Sequence, residues 1–103
     1  MSINRKQRLE TILSGKFVPR YLEVLNESYR HQVPADSETH FKVSMVSSMF
    51  TNCQPLARHR MVYKLLNAEL SSGLHALSLH LYTEEEWQRV SQVPLSPLCA
   101  HAE

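Results

Sequence analysis

Glycine and cysteine are scarce in this chain, with two residues of each among 103. Gly15 and Gly73 lie far apart, so the chain has no glycine-rich loop of the kind that cradles a phosphate group. Cys53 and Cys99 form no C-x-x-C pair, which argues against a zinc knuckle or a disulfide framework. There is also no long apolar run and no secretory signal pattern near residue 1. We therefore expect a cytoplasmic protein with no membrane partner.

Neither positive nor negative residues predominate, since the formal net charge is +1. Such a balance excludes a strong attraction of the whole molecule to nucleic acid, so any attraction of this kind needs a local basic patch. Hydrophobic residues make up 43% of the chain and charged residues 20%, as in ordinary globular proteins. The length is enough for one domain with one modest core.

Apolar residues recur with helical and strand periods in the order αββαβα. The pattern predicts helices over residues 3–14 and 56–70, strands over 20–27, 40–47 and 75–82, and a long loop over 28–39. Thr83 and Glu86 form a capping box, which predicts a short last helix. We expect a domain over residues 1–90, followed by a flexible tail over 91–103.

The connections between these elements predict the sheet. A loop joins the first two strands, which favours an antiparallel pair, whereas a helix joins the second and third, as a parallel pair requires. The result is a two-layer α+β fold, a three-stranded mixed sheet with helices on one face. In the first helix, ended by Gly15 and Pro19, the side chains of Arg5, Lys6 and Arg8 are expected to face solvent.

Histidines open two of the predicted strands. His40 and His75 begin strands two and three, and the loop that carries His31 leads directly into His40. Because parallel strands start at the same end of a sheet, about 5 Å apart, these side chains should approach one another at a common edge. Neutral imidazoles there are able to complete a metal site that another molecule begins. The alternative is structural: His31 solvated, His40 orienting the loop, and His75 hydrogen-bonded to a neighbouring loop.

No catalytic group of residues is recognisable, so we do not expect an enzyme. The main basic feature of the 56–70 helix comprises Arg58, Arg60 and Lys64, with Asn67 beside them. These side chains are suited to following the phosphates of a nucleic acid. An ordinary solvated helix face explains them equally well.

Several blocks of sequence resemble the BolA family. They are LNESYRH at 25–31, VPA at 33–35, SETHFKV at 37–43, RHRMVY at 58–63, and HALSLH at 75–80 followed by Tyr82 and Thr83. The resemblance extends over nearly the whole chain, with the blocks in the family's order. It implies a class II KH-like fold, in agreement with the αββαβα order.

The resemblance also implies a partner and a cofactor. Members pair with monothiol glutaredoxins and share a [2Fe–2S] cluster, for which a glutaredoxin cysteine and a glutathione thiol supply sulfur. The family's histidine ligand at the start of the last strand is matched by His75, and its ligand in the loop by His31, with His40 as the alternative. Histidine in place of thiolate raises the reduction potential of such a cluster. Alone, the protein is expected to hold no cofactor and to be a monomer or a weak homodimer.

A second implied role is DNA binding in the transcriptional control of morphology and stress genes. The candidate residues are Arg58, Arg60, Lys64 and Asn67. The Gly-x-x-Gly loop by which KH domains hold a nucleic acid backbone is absent. The two roles are compatible within one protein.

Overall fold

The computed structural model describes residues 3–28 and 37–92. The elements in chain order are α1 (Arg5–Phe17), β1 (Tyr21–Asn26), β2 (His40–Val46), a 3₁₀ helix (Ser48–Phe50), α2 (Pro55–Leu65), α3 (Asn67–Ser71), β3 (Ala76–Tyr82) and α4 (Glu84–Gln92). Pro55 begins α2, where its fixed φ angle suits the first helical turn. The α+β class and the order of strands and main helices are as the sequence predicts.

The three strands form one sheet in the order β1-β2-β3. β1 and β2 are antiparallel, and β2 and β3 are parallel, which confirms the predicted mixed sheet. The parallel register places His40 opposite Ala76 and Val46 opposite Tyr82. The amino ends of β2 and β3 therefore share one edge of the molecule.

Side chains alternate between two faces of the sheet. Its inner face carries the core residues of the strands, which pack with apolar side chains of α1 and α2 because burial removes their apolar surface from water. The residues of this core that are at most 2% exposed are Leu9, Leu13, Phe17, Val24, Phe41, Val43, Met45, Phe50, Val62, Leu66 and Leu74. The predicted inward positions of β2, namely Phe41, Val43 and Met45, are thus confirmed.

The last helix lies across the carboxyl end of β3. Thr83 and Glu86 form the predicted capping box, since each backbone N–H donates to the other side chain. Trp87 packs on Tyr21 and Tyr82, with ring centroids 5.1 and 5.3 Å apart. These ring contacts join α4 to both edge strands of the sheet.

Two helix predictions need correction. α1 continues through Gly15 and ends at Phe17, followed by the C-cap residue Val18, whose φ of 42° is left-handed. A glycine inside a helix destabilises it. The buried ring of Phe17 nevertheless packs on the ring of Phe50, with centroids 5.1 Å apart, and this contact favours the extra helical turn. The predicted 56–70 helix is interrupted at Leu66, which separates α2 from α3.

Parts of the prediction fall on residues that the structure does not describe. These are most of the 28–39 loop, including His31, and all but the first two residues of the predicted 91–103 tail. Residues 91 and 92 end α4. No helix in the described part of the chain is both long and apolar enough to cross a membrane.

Candidate functional site

Two of the three predicted histidines meet at the amino edge of β2 and β3. The ring centroids of His40 and His75 are 6.3 Å apart, with the ring planes at 77°. His75 is exposed, and His40 is half-buried. The parallel pairing thus brings these imidazoles together, as the connection between the strands predicts. His31 lies outside the described residues.

Backbone hydrogen bonds hold this edge together. The carbonyl oxygen of Thr39 accepts from the backbone N–H groups of His75 and Ala76, at 2.8 and 3.1 Å. On the other side of β2, the N–H of Glu27 donates to the carbonyl of His40 at 2.8 Å. The backbone of each histidine is therefore bonded directly to a neighbouring segment.

Ser28 organises the start of β2 and was missed by sequence reasoning, which placed it in the loop. Its hydroxyl oxygen is buried and accepts from the backbone N–H groups of Thr39 and His40, at 3.0 and 3.1 Å. The Thr39 hydroxyl lies 2.8 Å from Nδ1 of His40 and so orients that ring. A serine two residues after a strand gives no distinctive sequence signal for this role.

The described residues contain no set of three or more His, Cys, Asp or Glu side chains placed to hold a metal ion. What the edge offers is the pair of imidazoles. His80 is four positions further along the same sheet register, opposite Ser44, and its Nε2 lies 3.4 Å from the Ser78 hydroxyl. It is separate from the His40–His75 pair, as expected.

Arg58 does not belong to a solvated basic face, which corrects the prediction. Its side chain is 8% exposed and forms two hydrogen bonds with the Glu86 carboxylate, at 2.6 and 2.9 Å. It also donates to the carbonyls of Cys53 and Leu81, at 2.8 and 3.1 Å. The hydrogen bonds that the Glu86 carboxylate accepts from Arg58, and from the backbone N–H of Thr83, lower the pKa of Glu86 to about 2. Arg58 therefore joins α2 to α4, and its guanidinium is not available to a nucleic acid.

The other basic candidates do face solvent. Arg60 and Lys64 are exposed on α2, and Asn67 is exposed on α3. Lys64 lines a shallow depression together with Met61, Leu65 and the exposed Lys16 of α1. Lys16 was missed because it lies 48 residues from Lys64 in sequence, and only helix packing brings the two to the same depression.

Comparison with known proteins places these features in a family. A family model for BolA-like proteins matches residues 13–86. The DNA-binding transcriptional regulator BolA of Escherichia coli is 51% identical over 98 residues, which are 94% of this chain and 93% of that protein. The protein of the same name from Vibrio cholerae is 49% identical over 92 residues, covering 88% of this chain and 87% of that protein.

A solved structure is similar as well. BolA1 from Arabidopsis thaliana matches with a TM-score of 0.79 at 39% sequence identity, covering 84% of this chain and 98% of that one. Sequence and fold agree, and the chain belongs to the BolA-like protein family.

Proposed function

We propose that this protein supplies histidine ligands to a [2Fe–2S] cluster shared with a monothiol glutaredoxin, in iron–sulfur and stress-response regulation. The observation that supports it best is the exposed His75 ring beside His40 at one edge of the sheet. In this proposal a glutaredoxin cysteine and glutathione supply the thiolate ligands, as the family resemblance implies. The protein acts as a binding partner and not as an enzyme.

The residues at this edge suit such a centre chemically. Imidazole nitrogens are common ligands of iron and zinc, and a ligating histidine is usually oriented by an oxygen bonded to its other nitrogen. The Thr39 hydroxyl beside Nδ1 of His40 is an oxygen of this kind. Histidine ligands would raise the reduction potential relative to thiolates. His75 is then one ligand, and His31 or His40 the other.

Single substitutions of histidine test this proposal. The protein is co-expressed with a monothiol glutaredoxin, and the purified complex is measured by visible absorption and circular dichroism. His75→Ala should abolish the wild-type cluster spectrum, because no other described histidine lies at that edge beside His40. Of His31→Ala and His40→Ala, the variant that removes the second ligand should have the same effect.

His80→Ala is the matched control, because His80 is a strand histidine of the same sheet located away from the pair. It should leave the spectrum as in the wild type. A His75→Ala complex with an unchanged wild-type spectrum would contradict the proposal.

DNA binding is a second candidate function. It is favoured by the exposed cations of α2 together with the names of the bacterial relatives, which are DNA-binding transcriptional regulators. Lys64 and Lys16 flank one depression, which extends the basic surface from α2 onto α1. Arg60, Lys64, Asn67 and Lys16 form the surface proposed to contact the phosphate backbone.

Charge reversal tests this surface. The double variant Arg60→Glu/Lys64→Glu should bind a mixed-sequence DNA duplex more weakly, and the slope of log affinity against log salt should fall by about 2 at most. Lys6→Glu is the control, since Lys6 is exposed on α1 and pairs only with Glu10 at 3.6 Å among the described ion pairs. Unchanged affinity and slope in the double variant, measured by fluorescence anisotropy at several salt concentrations, would exclude α2 from DNA contact.

A further inference from the structure

The guanidinium of Arg5 lies buried between three segments of the chain, although sequence reasoning placed it in solvent. Its side chain is 9% exposed, and its Nε donates to the Glu69 carboxylate at 2.8 Å. Its Nη2 donates to the carbonyl of Ser72 at 2.9 Å, and its Nη1 donates to the carbonyl of Glu38. One side chain therefore joins α1 and α3 to two separate loop carbonyls.

Both carbonyls belong to the segments that lead into the histidine pair. Glu38 is two residues before His40, and Ser72 is three residues before His75. The Glu38 segment is bound a second time, since its carboxylate accepts from the backbone N–H of Arg5 at 3.3 Å. Arg5 thus contacts the approach to each histidine at a defined point.

Only short segments of chain separate the two carbonyls that Arg5 binds from the two histidine rings. Gly73 has a φ of +120°, a conformation that favours glycine, and a Cβ atom built there would lie 3.4 Å from Nη2 of Arg5, so this backbone packs directly beside the guanidinium. Beyond Gly73, the Thr39 carbonyl accepts from the N–H of His75. A displacement of either approach segment therefore shifts the strand ends that carry the rings.

We infer that Arg5 is a positioning residue, whose simultaneous bonds to the Glu38 and Ser72 carbonyls set the separation and orientation of the His40 and His75 rings. Its importance for a shared cluster rests on the proposed function, but its effect on the rings does not. The planar guanidinium presents donors in several fixed directions, whereas a lysine ammonium on a flexible stem cannot reproduce that arrangement. Arg5→Lys therefore keeps the charge beside Glu69 and loses the fixed bridge.

Arg8 provides a matched control on the same helix. Its guanidinium bonds the same Glu69 carboxylate at 2.7 and 3.2 Å, and its remaining described bond goes to the carbonyl of Ile3. Arg8→Lys thus alters an ion pair with the same carboxylate without touching the Glu38 or Ser72 carbonyl. Any effect specific to the two carbonyls should appear in Arg5→Lys only.

The test uses NMR spectra of the isolated full chain. In the wild type we expect cross-peaks between the ring protons of His40 and His75. In folded Arg5→Lys these cross-peaks should be lost, and the amide signal of His75 should shift, while Arg8→Lys should resemble the wild type. Intact cross-peaks in folded Arg5→Lys, or an equal loss in Arg8→Lys, would overturn the inference.

A second variant separates positioning from stability in case Arg5→Lys fails to fold. Glu69→Gln weakens the buried ion pair but leaves both carbonyls available to Arg5, so the folded variant should retain the ring cross-peaks. Their loss in folded Glu69→Gln would count against the carbonyl bonds as the cause. Since no cluster is needed for these spectra, a wild-type protein that forms no coloured complex with glutaredoxin would refute the proposed function alone.

Discussion

Glu69→Gln is expected to lower the free energy of unfolding by about 3 kcal/mol at neutral pH, because it leaves the buried Arg5 guanidinium without its counter-charge. Glu69 is itself buried, and its two carboxylate oxygens accept from Arg5 and Arg8 at 2.7 to 3.2 Å. Removing one partner of a buried pair costs more than the pair contributes as a whole, since the remaining charge stays desolvated. Urea unfolding of both proteins measures the difference.

The same contacts predict how this difference depends on pH. The hydrogen bonds from Arg8 and Arg5 lower the pKa of Glu69, outweighing the opposing effect of burial. The stabilisation is therefore complete above the ordinary carboxyl pKa and is lost as the pH falls through the lowered value in the folded protein. The difference in the free energy of unfolding between the wild type and Glu69→Gln should therefore become smaller at acidic pH.

Glu10→Gln is the control for Glu69. Glu10 pairs with Lys6 across one helical turn at 3.6 Å, and the two side chains are 41% and 50% exposed. Surface pairs of this kind contribute little, so the control should change stability by no more than about 0.5 kcal/mol. Equal stability losses in Glu10→Gln and Glu69→Gln would contradict the expectation that burial of the Arg5–Glu69 pair makes its disruption more costly.

Glu86→Gln is expected to cost about 2 kcal/mol at neutral pH, because the nearly buried Arg58 then loses its charged acceptor. The figure lies below that for Glu69 because 34% of the Glu86 side chain faces solvent, which screens the interaction. Glu86 also accepts from the N–H of Thr83 at 2.9 Å, so the substitution weakens the start of α4 as well. Thermal or urea unfolding followed by circular dichroism measures the loss.

The contribution of Glu86 to stability also depends on pH. Its pKa is about 2 in the folded protein against an ordinary value of 4.5. A lowered carboxyl pKa means that the unfolded chain binds protons first, so the contribution is present above about pH 4.5 and disappears as the pH falls toward 2. Glu85→Gln is the control, since Glu85 is exposed and pairs only with Arg89 at 3.6 Å among the described ion pairs. A loss in Glu86→Gln that stays constant from pH 7 to pH 3 would contradict this account.

Local signals predicted much of the fold correctly. The alternation along β2 identified Phe41, Val43 and Met45 as core residues, and the capping box identified the start of α4. The parallel pairing of β2 and β3 followed from the helical connection between them. That pairing in turn brought His40 and His75 to one edge, because parallel strands begin at the same side of a sheet.

The buried arginines were not predictable in this way. Arg5 and Arg58 each lie on a helix among other charged residues, and local periodicity makes both look solvated. Their acceptors are distant in sequence: Glu69 is 64 residues from Arg5, and Glu86 is 28 residues from Arg58. A single sequence contains no local signal for pairs of this kind. The extension of α1 through Gly15 was missed for a similar reason, since Phe17 packs on the distant Phe50.

The sequence by itself determined the class of the fold, the order and direction of the strands, and the edge at which His40 and His75 meet. These features depend on hydrophobic periodicity and connection lengths, which are local properties of the chain. Only the tertiary structure decided which charges are buried, that Arg58 joins α2 to α4, and that Arg5 bonds the approaches to both histidines. Such contacts depend on how separate segments pack in three dimensions, and a desolvated charge is tolerated only where packing brings its partner within hydrogen-bond distance.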